Sequence, residues 1–165
     1  MKAFVTGATG FLGLRVAGKL RERGDEVVAL VRTPSKVAAL QELGVEIVEG
    51  DLSATQAIER GVDGADAVFH IGAVYKVGIP ASERPAMYDA NVRGTERVLD
   101  AALAAGAKRI VYVSTGNVYG NTHGQIVDET YIRPQPPQFL SYYDQTKYQA
   151  HESARVRIAN GAPIV

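Results

Sequence analysis

Apolar residues along the chain fall into two regimes. Short, nearly continuous runs recur between longer stretches whose apolar positions stand three or four apart, the patterns of a covered strand and of a one-sided helix. Residues 2–6 predict a first strand, and residues 11–23 a helix with Leu12, Val16 and Leu20 on one face and Gly24 as its stop. Residues 27–31, Val-Val-Ala-Leu-Val, form the unbroken run of a parallel strand covered on both faces. Pro34 opens a short helix reaching Leu43, Gly44 follows it, and residues 45–48 make a third strand that Asp51-Leu52 closes. Ser53 and Gln56 have capping-box spacing, so the next helix is expected to open there and to end at Gly61; residues 67–71 are the fourth strand and 72–83 a loop.

An alanine-rich helix is predicted over 84–105, carrying Val92, Val98, Leu99 and Ala102, ahead of a fifth strand at 109–113. Residues 116–141 are rich in proline, glycine and polar side chains and too long for a passive connector, which marks a functional loop. A last helix spans 141–160 and stops at Gly161, and residues 163–165 begin a sixth strand inside which the chain ends. That ending leads us to expect a fragment of a longer protein. Strands alternate with helices throughout, without internal repeats, so the expected fold class is α/β: one Rossmann-type domain over 1–165, a doubly wound parallel sheet with helices on both faces, truncated near its sixth strand.

Composition narrows the possible functions. The 165 residues are 46% hydrophobic and 22% charged, enough apolar material for a real core. Eighteen basic and eighteen acidic residues cancel, so nothing global points to nucleic acid or to an anionic membrane, and any anion site must be local. There is no cysteine, which removes disulfides, thiolate metal sites and a cysteine nucleophile together. No apolar run approaches membrane length and the chain opens directly on strand-forming residues, so a cytoplasmic protein is expected.

The candidate chemistry begins where the first strand meets the first helix. Thr6-Gly7-Ala8-Thr9-Gly10-Phe11-Leu12-Gly13 sets three glycines three apart. Gly7 allows a tight exit from the strand, Gly10 lets backbone approach a pyrophosphate, and Gly13 lets the helix pack against the sheet, while the helix N-terminus offers free N–H groups. The run reads as a dinucleotide phosphate cradle, with an ordinary glycine-rich turn as the alternative. The second strand ends in Val31-Arg32-Thr33-Pro34-Ser35-Lys36, where a ribose 2′-hydroxyl would want an acid and a 2′-phosphate a cation. Arg32 and Lys36 therefore favour NADP(H), with NAD(H) as the alternative, unless the segment is only a solvated basic turn.

Tyr143 and Lys147 stand four apart on the last predicted helix, so an ammonium can lower the phenol pKa and make Tyr143 a general acid or base. Ser114 and Thr115 end the fifth strand, at the sheet edge where ligands bind. His70, His123 and His151 are scattered without metal-ligand spacing, and His70 reads as a packed or backbone-bonded residue rather than a catalyst. Tyr119, Tyr131, Phe139 and Tyr142 either line a pocket under the long loop or pack its base.

Taken with Gly50-Asp51-Leu52, Val68-Phe69-His70-Ile71-Gly72-Ala73, Asn91-Val92-Arg93-Gly94-Thr95, Val113-Ser114-Thr115-Gly116-Asn117-Val118-Tyr119-Gly120 and Tyr143-Asp144-Gln145-Thr146-Lys147, the glycine run makes the whole chain resemble the extended short-chain dehydrogenase/reductase family, also called the NAD-dependent epimerase/dehydratase family. The resemblance implies a triad of Thr115, Tyr143 and Lys147. It also implies a cofactor held by Gly7, Thr9, Gly10, Phe11, Leu12, Gly13, Arg32, Lys36, Asp51, Leu52, Gly72, Ala73, Val74 and Lys147. The Val31-Arg32 strand end is similar to the dihydroflavonol reductase-like branch, which implies an NADP-dependent oxidoreductase acting on a carbonyl or alcohol. A sugar-nucleotide epimerase or dehydratase, or a non-catalytic dinucleotide-binding module, is the alternative. Such proteins bind substrate mainly through a C-terminal domain, which would lie beyond Val165; without it the triad would face water, and weak cofactor binding with little turnover is expected. A homodimer through the helices at 84–105 and 141–160 is also implied.

Overall fold

The computed structural model describes the backbone of residues 1–165 and every side chain except that of Lys36. Five strands form one parallel sheet: β1 (Lys2–Thr6), β2 (Glu26–Val31), β3 (Glu46–Glu49), β4 (Ala67–His70) and β5 (Arg109–Tyr112), in spatial order β3-β2-β1-β4-β5. The order reverses between β1 and β4, so the crevice at their carboxyl ends is the topological switch point at which open α/β sheets bind ligands. Beyond β5 only Ile164 pairs, in parallel with Ile110, so the expected sixth strand is a single bridge extended by the bonds from Tyr112 N to Val165 O and from Val165 N to Ile110 O, each 2.8 Å.

Alternation within the strands builds two cores. Phe4, Val28, Leu30, Val68 and Ile110 face one side, where α3 (Thr55–Val62), α5 (Gly94–Ala104) and α6 (Tyr142–Ala159) contribute Ile58, Val62, Val98, Leu99, Ala150 and Ala154. Ala3, Val5, Val27, Ala29 and Val31 face the other, covered by α1 (Phe11–Glu22) and α2 (Ala38–Glu42) through Ala17, Leu20 and Leu40. Both faces of the central strands are therefore apolar, as the unbroken run at 27–31 requires.

The structure corrects several local expectations. The buried stripe of α1 is Gly13, Ala17 and Leu20, while Leu12 is exposed: small residues, absent from a hydrophobic count, let the helix come close. The segment after β2 is a 3₁₀ turn at Pro34–Lys36 followed by α2, not one helix. Ser53 caps nothing; its hydroxyl and N–H both go to Asp51, and α3 starts at Thr55 without a side-chain cap. Gly61 does not end α3 but lies inside it, where a Cβ would meet the Phe4 ring at 2.2 Å. The long helix at 84–105 is α4 (Arg84–Tyr88) continued by a π-helical segment, Asp89–Arg93, and then α5. Strands three to five end within one residue of expectation. α6 opens as expected at Ser141, whose Oγ accepts the Asp144 N–H at 3.1 Å, and Arg157 ties it to α5 through two bonds to Asp100.

Candidate functional site

The carboxyl ends of β1 to β4 open on a groove of about 720 Å³ whose walls include Gly7, Thr9, Gly10, Phe11, Leu12, Gly13, Arg32, Asp51, Leu52, Gly72, Ala73 and Val74. The sequence had singled out every one of these residues from separate stretches. Lys36 belongs to the same expectation, but its side chain lies outside the described residues.

Each glycine of the cradle has its own reason. Gly7 has φ +73°, and a Cβ there would sit 2.7 Å from the Gly72 N–H nitrogen, so β1 can leave the sheet beside β4 only without a side chain. A Cβ on Gly13 would come within 2.1 Å of the Gly7 carbonyl oxygen; the helix is pressed on the turn itself rather than on the sheet. Gly10 is different, because a Cβ there would meet only the Gly7 oxygen, at 3.3 Å, and would otherwise project into open space. Gly10 also caps α1 with no side-chain hydrogen bond, and the first turn of this twelve-residue helix holds no acid. Its first N–H groups and positive dipole end thus face the groove with no anion of the protein's own, which fits the pyrophosphate of a dinucleotide.

At the end of β2, Arg32 is exposed and, among the described residues, in no ion pair. Across from it the Asp51 carboxyl is held below the usual range by the Ser53 hydroxyl and N–H, with the Arg32 charge adding to the effect. Asp51 is thereby a fixed acceptor and Arg32 a free cation.

Behind the groove runs a buried polar chain. Thr95 Oγ1 donates to the Asn91 carbonyl at 2.7 Å, so it accepts from His70 Nε2 at 3.0 Å. His70 Nδ1 then accepts from Thr6 Oγ1 at 2.7 Å, whose lone pair takes the Gly72 N–H at 3.1 Å. The imidazole is therefore neutral with its proton on Nε2, and burial, helped by the Lys147 charge, pushes its pKa down to about 3. His70 is packed as expected, though its partners are threonine hydroxyls and not backbone. In the π segment the Asn91 amide clamps Val74 like a second peptide, accepting its N–H at 2.7 Å and donating to its carbonyl at 3.0 Å, and also donates to Thr146 Oγ1 at 3.0 Å. Thr146 in turn donates to the Tyr143 carbonyl at 2.9 Å, so the loop lining the groove and the start of α6 are linked.

Tyr143, Lys147 and His151 share one face of α6, yet Lys147 does not reach for Tyr143. Its Nζ donates to the Val113 carbonyl at 2.9 Å and to the Tyr112 hydroxyl at 3.3 Å, and burial pushes its pKa down to about 8. The Tyr143 phenol is raised by burial, with Tyr75 and Asp144 adding to it, the opposite of the expected direction. The reason is geometric: helical spacing sets the face, but the ammonium goes where the Val113 carbonyl, just after β5, waits. Ser114 Oγ lies 3.0 Å from His151 Nδ1 and so is turned to α6, whereas Thr115 Oγ1 only accepts the Asn117 N–H. Asn117 Nδ2 donates to Asp144 Oδ1, tying the Thr115 turn to the residue beside Tyr143. Thr115, Tyr143 and Lys147 are not among the groove walls. Among the described residues no cluster of three or more potential metal ligands occurs, and no helix is long and apolar enough to cross a membrane.

Two contributions were missed. The Tyr75 and Tyr143 rings meet at nearly a right angle, and Arg133, buried in the long loop, donates to the carbonyls of Asn117, Val118 and Gln138 beside the rings of Phe139 and Tyr148. No periodicity or motif spacing points to either. The loop aromatics pack its base: Tyr119 on Tyr131, Phe139 on Tyr148, and Tyr142 under Arg84.

The family model described as the NAD dependent epimerase/dehydratase family matches residues 3–163. A 2-alkyl-3-oxoalkanoate reductase of Stenotrophomonas maltophilia is 41% identical over 99% of this chain and 48% of its own length. A short-chain dehydrogenase/reductase superfamily protein from Agrobacterium tumefaciens with bound NAD is 34% identical, with a TM-score of 0.84 over 100% of this chain and 48% of that one. A UDP-glucose 4-epimerase from Thermotoga maritima, solved with UDP-glucose, is 28% identical, with a TM-score of 0.83 over 99% of this chain and 53% of that one. The chain spans about half the length of these relatives.

Proposed function

Because the chain belongs to the NAD-dependent epimerase/dehydratase family, we propose that it is the cofactor-binding part of an NADP-dependent carbonyl reductase whose proton chemistry is carried by Thr115, Tyr143 and Lys147. The observation that carries this reading is the convergence at one sheet edge of two features. The uncapped N-terminus of α1 lies after β1, and the buried Lys147 ammonium bonds the Val113 carbonyl just after β5. In this reading Gly7, Thr9, Gly10, Phe11, Leu12 and Gly13 hold the pyrophosphate, Asp51 and Leu52 meet the adenosine, Arg32 and Lys36 hold the 2′-phosphate, and Gly72 to Val74 pass beside the nicotinamide. A bound nicotinamide would supply the hydride. The remaining work belongs to the chain. Tyr143 donates the proton to the carbonyl oxygen, and Thr115 donates a hydrogen bond to that oxygen as charge develops. Ser114 is engaged by His151, which favours Thr115 as the free hydroxyl. Burial holds the phenol above its ordinary pKa, so Tyr143 carries its proton at neutral pH and needs a nearby positive charge to release it. Lys147, with a pKa near 8, is mostly charged at pH 7 and can lower the phenol once it turns from Tyr112.

Titration should show NADPH binding more tightly than NADH, with Arg32→Ala removing the difference; equal affinities in the parent chain would sink the NADP assignment. Tyr143→Phe should keep cofactor binding and lose single-turnover hydride transfer, and undiminished transfer would remove Tyr143 from the chemistry. The likeness to the Thermotoga epimerase supports a second reading, a sugar-nucleotide epimerase or dehydratase. Tight retention of cofactor through purification, with interconversion of UDP-hexoses and no net NADPH consumption, would favour it.

A further inference from the structure

The turn Asp51-Leu52-Ser53 helps wall the groove, and its shape is settled locally. The Ser53 N–H and hydroxyl both go to Asp51 Oδ1, and the Ala54 N–H goes to the Asp51 carbonyl at 3.1 Å. Local bonds of this kind leave the place of the turn in the fold open. That place is set from the first turn of α5, where Arg97 Nη1 donates to the Leu52 carbonyl at 3.1 Å, the one bond this carbonyl accepts among the described residues. The same guanidinium donates to both oxygens of Asp89, at 2.8 and 3.3 Å, and Asp89 is a further groove wall, supplied by the π segment. Gly94, which opens α5, comes so near that a Cβ on it would lie 2.7 Å from the Leu52 Cβ.

Arg97 itself is not a groove wall. It lines a separate hollow of about 520 Å³ with Thr55, Glu59, Glu96 and Asp100, so it acts on the groove through Leu52 and Asp89. The bond to Asp89 raises its pKa and the Asp51 charge adds to the effect, which keeps the guanidinium charged at any working pH. One planar fork thereby joins two walls that come from different parts of the chain.

We propose that Arg97 is the positioning residue of the adenosine subsite: by tying the Leu52 carbonyl to Asp89 from behind the wall, it holds the groove at the width an adenine nucleotide needs. The proposal rests on the reading of Asp51 and Leu52 as the adenosine contacts, and not on a preference for NADP(H). Without the fork the turn keeps its shape but loses its anchor, and a ligand must then order it on binding, which lowers affinity. The Arg97 and Asp89 side chains remain 26% and 35% exposed, so removing the guanidinium leaves Asp89 in contact with water and the fold intact.

The test is an NMR titration of the whole chain, isotopically labelled in its backbone amides, with ADP-ribose and inorganic pyrophosphate as separate probes. ADP-ribose carries neither a 2′-phosphate nor a nicotinamide, so it reads the adenosine subsite together with the cradle, whereas pyrophosphate reads the cradle alone. In the parent chain ADP-ribose should shift the Leu52 and Ser53 amides saturably, and both probes should shift those of Phe11 and Leu12. Arg97→Met should weaken ADP-ribose about three- to tenfold and leave pyrophosphate affinity unchanged. Arg97→Lys, which keeps the charge without the planar fork, should recover part of the loss. Unchanged ADP-ribose affinity in Arg97→Met would overturn the proposal, and an equal loss for both probes would make Arg97 a support of the whole fold instead. If ADP-ribose shifts no amide of the parent chain, the dinucleotide reading falls and takes the proposal with it, a failure told apart because it precedes any substitution.

Discussion

The ammonium of Lys147 lies 4.8 Å from the centre of the Tyr112 ring and 3.3 Å from its hydroxyl, with 4% of the residue exposed. A cation this deep, paired among the described residues with a carbonyl and a ring but no carboxylate, is expensive. The cost is visible in its pKa, pushed from 10.5 down to about 8 by burial.

That depression fixes the direction of a pH effect. Between about 8 and 10.5 the unfolded chain holds the Lys147 proton and the folded chain does not, so stability from this group rises with pH across that interval and is complete only above it. Tyr112, whose pKa burial raises above 10, acts oppositely and caps the rise near pH 10. Lys147→Met should abolish the rise and leave stability at pH 7 equal to or above the parent's, since it removes a penalty of roughly 3 kcal/mol while leaving one carbonyl unpaired. Urea denaturation across the pH range measures this; a variant clearly weaker at pH 7 would show that the ammonium is structurally favourable.

His70 contributes on the acid side, alongside His151, whose pKa burial also lowers. The folded pKa of His70, about 3, lies below the ordinary 6.5, so the stability it confers is complete above 6.5 and drains away as pH falls toward 3. Protonation puts a donor on Nδ1, so the Thr6 hydroxyl can no longer donate to the ring and must turn its proton elsewhere, while a full charge is left in the buried chain. The slope from this one group is at most about 1.4 kcal/mol per pH unit. His70→Gln, which can still bond both threonines, should cost about 1–3 kcal/mol at pH 7 and lose one proton's worth of acid sensitivity. An unchanged slope would mean that the acid transition belongs to other groups.

Two of the cradle glycines should separate folding from binding. In Gly13→Ala the new Cβ would sit 2.1 Å from the Gly7 oxygen and 2.6 Å from its carbonyl carbon, backbone that cannot step aside. Loss of about 1–3 kcal/mol or more together with loss of NADPH binding is expected. Gly10→Ala meets only one atom, at 3.3 Å, in extended backbone of φ −86°. It should change stability by no more than roughly 0.5 kcal/mol yet weaken the dinucleotide, because the methyl occupies the approach. Thermal unfolding and NADPH titration on the two variants decide it, and equal binding in Gly10→Ala and the parent would move the phosphate elsewhere.

What could be read in advance follows from the range of the interaction involved. Strand runs such as 27–31 and the Val98-Leu99-Ala102 face are set by burial that repeats along the chain, so periodicity exposes them. The Gly7-Gly10-Gly13 spacing is likewise local, and the groove forms where it was expected. Gly61 misled because a glycine that makes room for a ring on another element looks, in one dimension, like a glycine that ends a helix. Leu12 misled because close packing selects Gly13 and Ala17, which a hydrophobic pattern undervalues. The Tyr143–Lys147 spacing correctly gave a shared face, while the target of the ammonium, Val113 O, lies just after β5, far from α6 in sequence, and has no local signature. Tyr75 reaches Tyr143 across the fold in the same way.

Arg133 is the sharpest case of that non-local kind, and it controls the long loop. Its guanidinium is held 4.8 Å and 4.9 Å from the ring centres of Phe139 and Tyr148, and it donates to Asn117 and Val118 carbonyls at 3.2 Å and to Gln138, joining the turn after Thr115, the end of the loop and α6. Gly120, at φ +73°, is kept side-chain-free by it, since a Cβ would lie 2.8 Å from Arg133 Nε. Bonds to a charged donor are worth more than neutral ones, and losing this donor leaves the Val118 and Gln138 carbonyls without their partner at once, while Asn117 O keeps the Gly120 N–H. Arg133→Met should therefore destabilise the chain by roughly 2–4 kcal/mol and open the 120–140 stretch to limited proteolysis before the sheet unfolds. Arg133→Lys keeps the charge but not the planar fork or its contact with both rings, and should fall between the parent and Arg133→Met. Because Asn117 also holds Asp144, loosening this turn should broaden the Tyr143 ring signal in labelled protein while leaving those of Tyr88 and Tyr112 sharp. Uniform broadening of all three would instead mean that Arg133 serves the fold as a whole and has no particular hold on the Tyr143 end of α6.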